Sequence, residues 1–381
     1  MNGDHFVDCV HVRSATAEVI PTLNSAIAAP HRASRGRWGL NPRQAGRASP
    51  LVSSVMMEPM ATLGKVGNVP KKRQTRQHRL TLFLAVLGLV AHSAGKAQPV
   101  IGGCAIFPVD NAWNHAIDDL PVHPRSSEYI NTAGRGRPLH VDDSLPFNVV
   151  GPDQPARPLA NVEAPAESDL EPFPIPANPA VETNQDAHML ILQTGACRLF
   201  EIYQAKRHGN WWTASSTAIF DLRSNHLRPD GWTSADAAGL PILPGLLRYE
   251  EVKSGQLRHA VRMTVPRSQR AYVWPARHFA ASDSNSSLPP MGLRLRLKRD
   301  FDINGFSAQA KVILLALKKY GAFIADNGSS FFFTAAPDGW PRGLLNELKR
   351  VKSDDFEAVD TSGMLIARDS GQSAPLPALP K

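Results

Sequence analysis

The chain has no HExxH, no GxSxG, no Walker loop and no GxGxxG following a strand. Zincin, α/β-hydrolase and nucleotide-binding readings in their usual forms fall away with them, and no peptidase triad is recognisable. Neither a cofactor nor a resident metal is expected. Cysteine is scarce, three in 381 residues. Once Cys9 is assigned to a leader, only Cys104 and Cys197 remain, a pair better suited to a bridge than to thiol catalysis. A fragment shaped like a calcium loop, Asp300, Asp302 and Asn304 before Gly305, has Lys311 where a bidentate carboxylate is required. An ordinary lead-in to a helix explains that segment better.

Long apolar runs are missing too. The run from Leu80 to Val90 covers eleven residues, short of the ~18 to 20 that cross a bilayer. It fits an export signal instead: Lys71, Lys72, Arg73, Arg76 and Arg79 form a basic start, and Ala94-Gly95-Lys96-Ala97 supplies small residues at the cleavage spacing. Residues 71–97 are therefore read as a signal peptide, with the mature chain starting near Gln98, secreted or periplasmic, and no stable membrane span after cleavage. Residues 1–70, with plausible starts at Met57 and Met60, are read as a non-native or disordered leader. A lipoprotein anchored at Cys104 through Ile101-Gly102-Gly103 is the alternative, weakened by the polar break from His92 to Gln98.

Removing the leader changes the charge. The whole chain carries 42 basic and 34 acidic residues, but residues 1–97 hold 13 and 4 of them, leaving 29 and 30. A mature chain near neutrality lacks the concentrated positive surface that nucleic acid requires, so no nucleic-acid partner is expected. In an oxidising compartment Cys104 and Cys197 most simply form a disulfide.

Segment 98–184 is dense in proline, including Pro172-Phe173-Pro174-Ile175-Pro176. Long helices and central strands are excluded there, and a wrapping segment with short edge strands is expected, burying Ile106, Phe107, Trp113, Ile117, Leu120 and Tyr129. Segment 185–369 is read as a β-rich core. Strands are expected at Ala187–Gln193, Arg198–Ala205, Trp211–Leu222, Leu246–Val252, Leu257–Val265, Ala271–Trp274 and Leu293–Lys298, with hairpin turns at Thr194-Gly195-Ala196 and Lys253-Ser254-Gly255-Gln256. A helix capped by Ser307 buries Ala310, Ile313, Leu314 and Leu317 and ends at Gly321, and a short helix is expected from Gly343 to Val351. The fold class is β-rich α+β, an antiparallel sandwich or jelly-roll-like domain with one or two packed helices. Residues 370–381 are expected to be a disordered tail.

Acidic residues are the candidates for chemistry. Asp236 sits among small residues in Gly231-Trp232-Thr233-Ser234-Ala235-Asp236-Ala237-Ala238-Gly239, a loop suited to close approach by a ligand, although Thr233, Ser234 and Asp236 also suit a helical cap. Glu251 and His259, on adjacent strands of the expected hairpin, could form an acid–base pair or a satisfied buried histidine. Asp221 ends a strand before Arg223, and Asp326 opens the turn Asp326-Asn327-Gly328-Ser329. Asp186 and His188 open a buried strand, while Glu201 is expected to face outward beside Tyr203. Carboxylates at strand ends are where sandwich glycosidases place their acid and nucleophile. Trp232 and Trp274, with Arg223 and Asn327, are the candidate substrate contacts, since indole faces stack on pyranose rings; Trp211, Trp212 and Trp340 complete the tryptophans considered.

The strings Gly231 to Gly245, Leu247 to Val252, His259-Ala260-Val261-Arg262, Tyr272-Val273-Trp274-Pro275-Ala276 and Ile324 to Ser330 resemble those of a group of uncharacterised secreted bacterial proteins. The resemblance spans about Cys104 to Asp360. It implies export and a single-domain organisation and brings no activity with it. The expected function is a carbohydrate-active hydrolase using paired carboxylates on a polysaccharide, with a non-catalytic glycan-binding or cell-envelope protein as the alternative.

Overall fold

Proline withholds a backbone donor, and in the computed structural model the longer strands of the Pro-dense segment 98–184 lie at sheet edges. The structure describes residues 98–375; the expected leader, the signal peptide and residues 376–381 lie outside the described residues. Three strands of the segment are sheet edges: His140–Asp142 borders a six-stranded sheet, Phe147–Val150 a four-stranded sheet and Leu159–Val162 a three-stranded sheet. Two more, Val100–Ile101 and Cys104–Ala105, form a small antiparallel hairpin. Between Pro124 and Pro138 a short helix that the proline pattern did not suggest, Ser126–Gly134, buries Tyr129, Ile130 and Ala133.

The six-stranded sheet runs Phe356–Ala358, Arg294–Leu297, Ala322–Asn327, Val261–Val265, Phe332–Thr334, His140–Asp142. Ala322–Asn327 lies parallel to Val261–Val265, and Phe332–Thr334 parallel to His140–Asp142. The four-stranded sheet, Ser216–Asp221, Arg198–Tyr203, Met189–Gln193, Phe147–Val150, is antiparallel except at its last pair. In the third sheet Trp211–Ala214 pairs antiparallel with Lys206–His208 and parallel with Leu159–Val162. The class is β-rich α+β, and its sheets are mixed rather than purely antiparallel. Turn chemistry reveals hairpins; parallel pairs join distant segments and leave no local signature.

The helix Ala308–Lys319 follows its sequence pattern. Ser307 Oγ accepts from the Ala310 N–H at 3.3 Å, the expected apolar positions are buried, and the chain leaves through Gly321 at φ 65°. A second expectation fails. Residues Tyr249–Ser254, expected as the end of a strand (to Val252) and the start of a hairpin turn, form a helix ended by Gly255 at φ 73°. The glycine that suggested a hairpin turn is a left-handed helix terminus. Ala271–Trp274 is irregular, with a single bridge from Tyr272 to Met291.

The inner face of the four-stranded sheet, Leu190, Leu192, Leu199, Ala218 and Phe220, joins the main core with residues of the six-stranded sheet. Its other face, Met189, Ile191, Phe200 and Ile202, packs on Phe173, Ile175 and Trp212. Cys104 and Cys197 are bridged across 93 residues with their Cα atoms 5.5 Å apart, tying the first hairpin to the turn between Met189–Gln193 and Arg198–Tyr203. In the chain-entropy account such a closure stabilises by about 4 kcal/mol. The start of the expected tail is ordered: Gly371 N–H donates to Asn225 O, Ala112 N–H to Gly371 O and Ser373 N–H to Asp110 O.

Candidate functional site

A charged side chain on a strand buried on both faces must meet its counter-charge inside the protein. Arg262, second residue of Val261–Val265, is in that position at 4 % exposure. Its Nε and Nη2 donate to Asp236 Oδ2 and Oδ1, both at 2.8 Å, and Nη1 donates to Thr334 Oγ1. Burial disfavours the guanidinium charge, but the paired Asp236 outweighs it and holds the group above its ordinary range. Asp236 is fixed by its own loop, where Ser234 Oγ accepts the Asp236 N–H at 2.9 Å and donates to Leu240 O.

Asp326, near the end of Ala322–Asn327, brings a second carboxylate to the same guanidinium, with Oδ2 4.0 Å from Nη2. Burial, and then the neighbouring Asp236 charge, push its carboxyl up to about 7. Unlike Asp236, whose side chain is fully enclosed, the Asp326 side chain keeps 30 % of its surface open. Asn327 donates its N–H to Asp326 Oδ1 at 2.7 Å, while Asn327 Oδ1 is buried without a partner.

The four-stranded sheet contributes to the same centre. His188, just before Met189–Gln193, faces Glu182 Oε2 through Nδ1 at 2.5 Å and Ala235 O through Nε2 at 3.0 Å. With acceptors at both nitrogens the ring carries both protons. Desolvation opposes that charge, but the Glu182 hydrogen bond and charge prevail and raise its pKa. Burial likewise works against the Glu182 charge, and His188 overcomes it to lower the carboxyl. Glu201 corrects an expectation. Rather than facing outward, it lies opposite Leu190 and Ala218 on the inner face and is fully buried. Its Oε1 accepts the Ile242 and Leu243 N–H groups, each at 2.9 Å. Burial pushes its carboxyl up to about 7 despite those donors, with the Asp236 charge adding to the rise.

Of the residues read from the sequence, Asp236 and Asp326 therefore converge. Glu251 and His259 also meet, at 3.1 Å, but across a helix and a loop rather than a hairpin, and with Arg248 Nη2 on Glu251 Oε1 at 2.6 Å. His259 Nδ1 is taken by Ala260 O at 2.7 Å. Arg248 and His259 are each 1 % exposed, which makes this trio an internal clamp on the helix start. Asp221 is held by Arg223 in its own turn, at 3.0 Å on the surface. Trp232 lies under the Arg228 guanidinium, 5.4 Å from its centroid, and Trp274 donates Nε1–H to Ser370 O at 2.7 Å. Both tryptophans are thus engaged elsewhere, Trp232 by Arg228 and Trp274 in fastening the C-terminal segment.

Sequence reasoning missed Arg262 as the hub. An arginine between Val261 and Met263 in an apolar strand was the available signal. Among the described residues no group of three His, Cys, Asp or Glu is arranged to hold a metal ion. A cavity of about 400 Å³ lies away from this centre, between Leu297, Leu315, Arg299 and Lys319.

Fold and site together define a β-rich α+β domain with a cluster of ionisable side chains gathered around Arg262. Comparison of the chain with protein-family models, curated proteins and solved structures finds no match.

Proposed function

We propose that this chain is an exported hydrolase of the polysaccharide-cleaving type and belongs with the secreted bacterial proteins its motifs resemble. Asp326 is the proton-donating carboxyl. The observation that carries the reading is the pairing at Arg262 of one carboxyl that reaches solvent and holds its proton near neutrality with another that is enclosed and bound to the guanidinium through both oxygens. Both carboxylates sit on Arg262 Nη2, at 2.8 and 4.0 Å, so their nearest oxygens are at most about 7 Å apart, below the ~9.5 Å upper limit for glycosidase pairs. Asp326 protonates the leaving oxygen as the glycosidic C–O bond breaks, water then adds at the anomeric carbon, and the proton that water releases returns to the Asp326 carboxylate. Asp236, with both oxygens engaged, acts as a positioning residue whose negative charge keeps that proton in place and favours a developing oxocarbenium. The disulfide and the lack, among the described residues, of a helix able to cross a membrane accord with export.

The enclosure of Asp236 favours a second reading, in which Arg262 and its carboxylates only join the sheets of a glycan-binding or cell-envelope protein. Reducing-end release from a panel of soluble polysaccharides separates the two. Asp326→Asn is expected to lower release at least 100-fold with thermal stability retained, as for loss of a general acid. No release by the wild type from any polymer it binds, or full activity in the variant, refutes the hydrolase.

A further inference from the structure

We infer that the hairpin Lys206–His208 and Trp211–Ala214 is a binding face for an acidic polysaccharide, separate from the Arg262 centre. Register pairs Lys206 with Thr213 and His208 with Trp211, so by strand alternation these four side chains share one face. Arg207 and Trp212 take the other. There Trp212 is 7 % exposed in the smaller core, with the Arg207 guanidinium 5.9 Å from its ring. The inward face is therefore satisfied, and the outward face is not.

Trp211 is 45 % exposed on that outward face. The His208 ring stacks on it at 4.2 Å with 12° between the planes, and His208 Nε2 lies 3.3 Å from Thr213 Oγ1. The indole is thus held in one orientation before any ligand arrives, which lowers the ordering cost of binding. Lys206 is exposed and its ammonium enters no ion pair or hydrogen bond among the described residues. Among the described residues Lys206–His208 is an edge strand of its sheet.

A flat apolar ring beside an uncommitted cation matches a uronate polymer. The C–H face of a pyranose covers Trp211 and its carboxylate meets Lys206, two residues or about 7 Å along the strand from the His208–Trp211 pair. Nucleic acid fits less well, since only Lys206 on this face offers a permanent positive charge. A membrane surface fits less well too, because no second large apolar side chain flanks Trp211 on the face.

Binding to polygalacturonate, measured calorimetrically on the Asp326→Asn chain so that turnover does not intervene, tests this face independently of the hydrolase. Trp211→Ala is expected to weaken binding about tenfold and Trp211→Phe much less. Lys206→Gln is expected to weaken it and flatten its salt dependence, and fully methyl-esterified polymer should bind more weakly than the acid form. Unchanged affinity in Trp211→Ala or Lys206→Gln, equal affinity for the esterified polymer, or tighter binding of duplex DNA or anionic phospholipid vesicles overturns it. Binding with these sensitivities but no sugar release by the wild type leaves the face standing and retires the hydrolase; release without them does the reverse.

Discussion

Replacing Glu201 by Gln removes a titrating proton from the core while keeping the side chain's shape. Oε1 accepts both the Ile242 and Leu243 N–H groups and Oε2 shares the Ile242 N–H at 2.9 Å, so an amide oxygen at the Oε1 position keeps both donors while its NH2 group replaces the second acceptor, a cost that does not change with pH. In the wild type the folded carboxyl titrates near 7, against an ordinary 4.5. Between those values the folded chain keeps a proton that the unfolded chain has released, so stability must fall as pH rises through the window. The full difference is about 3 kcal/mol, of which about 2 kcal/mol is lost between pH 5.5 and 8. For a chain of this size that is a drop in Tm of about 5 °C. Asp326 and His188, both raised, act in the same direction and persist in the variant. Glu182 and Glu251 are lowered, so their contribution is present above the ordinary carboxylate range and is lost only in more acidic solution. Thermal melts at the two pH values should therefore show a clear fall for the wild type and a fall smaller by about 5 °C for Glu201→Gln. A wild type equally stable at both, or a variant with an undiminished fall, refutes the reasoning.

Removing the bridge with Cys104→Ser and Cys197→Ser should lower unfolding stability by about 4 kcal/mol, read as the urea midpoint. Arg262→Met strands the enclosed Asp236 and should cost about 3 to 5 kcal/mol; adding Asp236→Asn should restore part of it, and a double variant no more stable than the single would show the pair is not coupled. Gly321→Ala places a Cβ 2.1 Å from the Leu295 carbonyl oxygen at a positive φ and should cost at least about 2 kcal/mol. Gly343→Ala, with open space around its Cβ in Arg342–Leu348, should instead stabilise by up to about 1 kcal/mol.

What the sequence conveyed, and what it withheld, divides along physical lines. The Ser307 helix, the Cys104–Cys197 bridge and the edge placement of the proline-dense strands follow from local rules: a cap, two cysteines, a missing donor. Tyr249–Ser254 was misread because Gly255 serves both hairpin turns and helix ends, and only the surrounding contacts choose. Arg262 escapes notice and Glu201 is assigned to the wrong face because two-residue alternation gives one face to solvent, whereas Val261–Val265 and Arg198–Tyr203 are covered on both faces. In such strands a polar residue marks an internal contact. Glu182 lies in a loop, where no strand pattern applies. Asp236 and Asp326 were legible as loop and turn acids; that they share one guanidinium depends on a parallel pairing of strands some sixty residues apart.

The backbone bonds between residues 110–112 and 371–373 have a consequence for biogenesis. A polypeptide is made from its amino end, so the backbone groups of Asp110 and Ala112 wait for partners made far later in the chain. A chain truncated before Gly371 would lack these backbone bonds and hold Asp110 and Asn111 through their side-chain bonds to Asn225 instead.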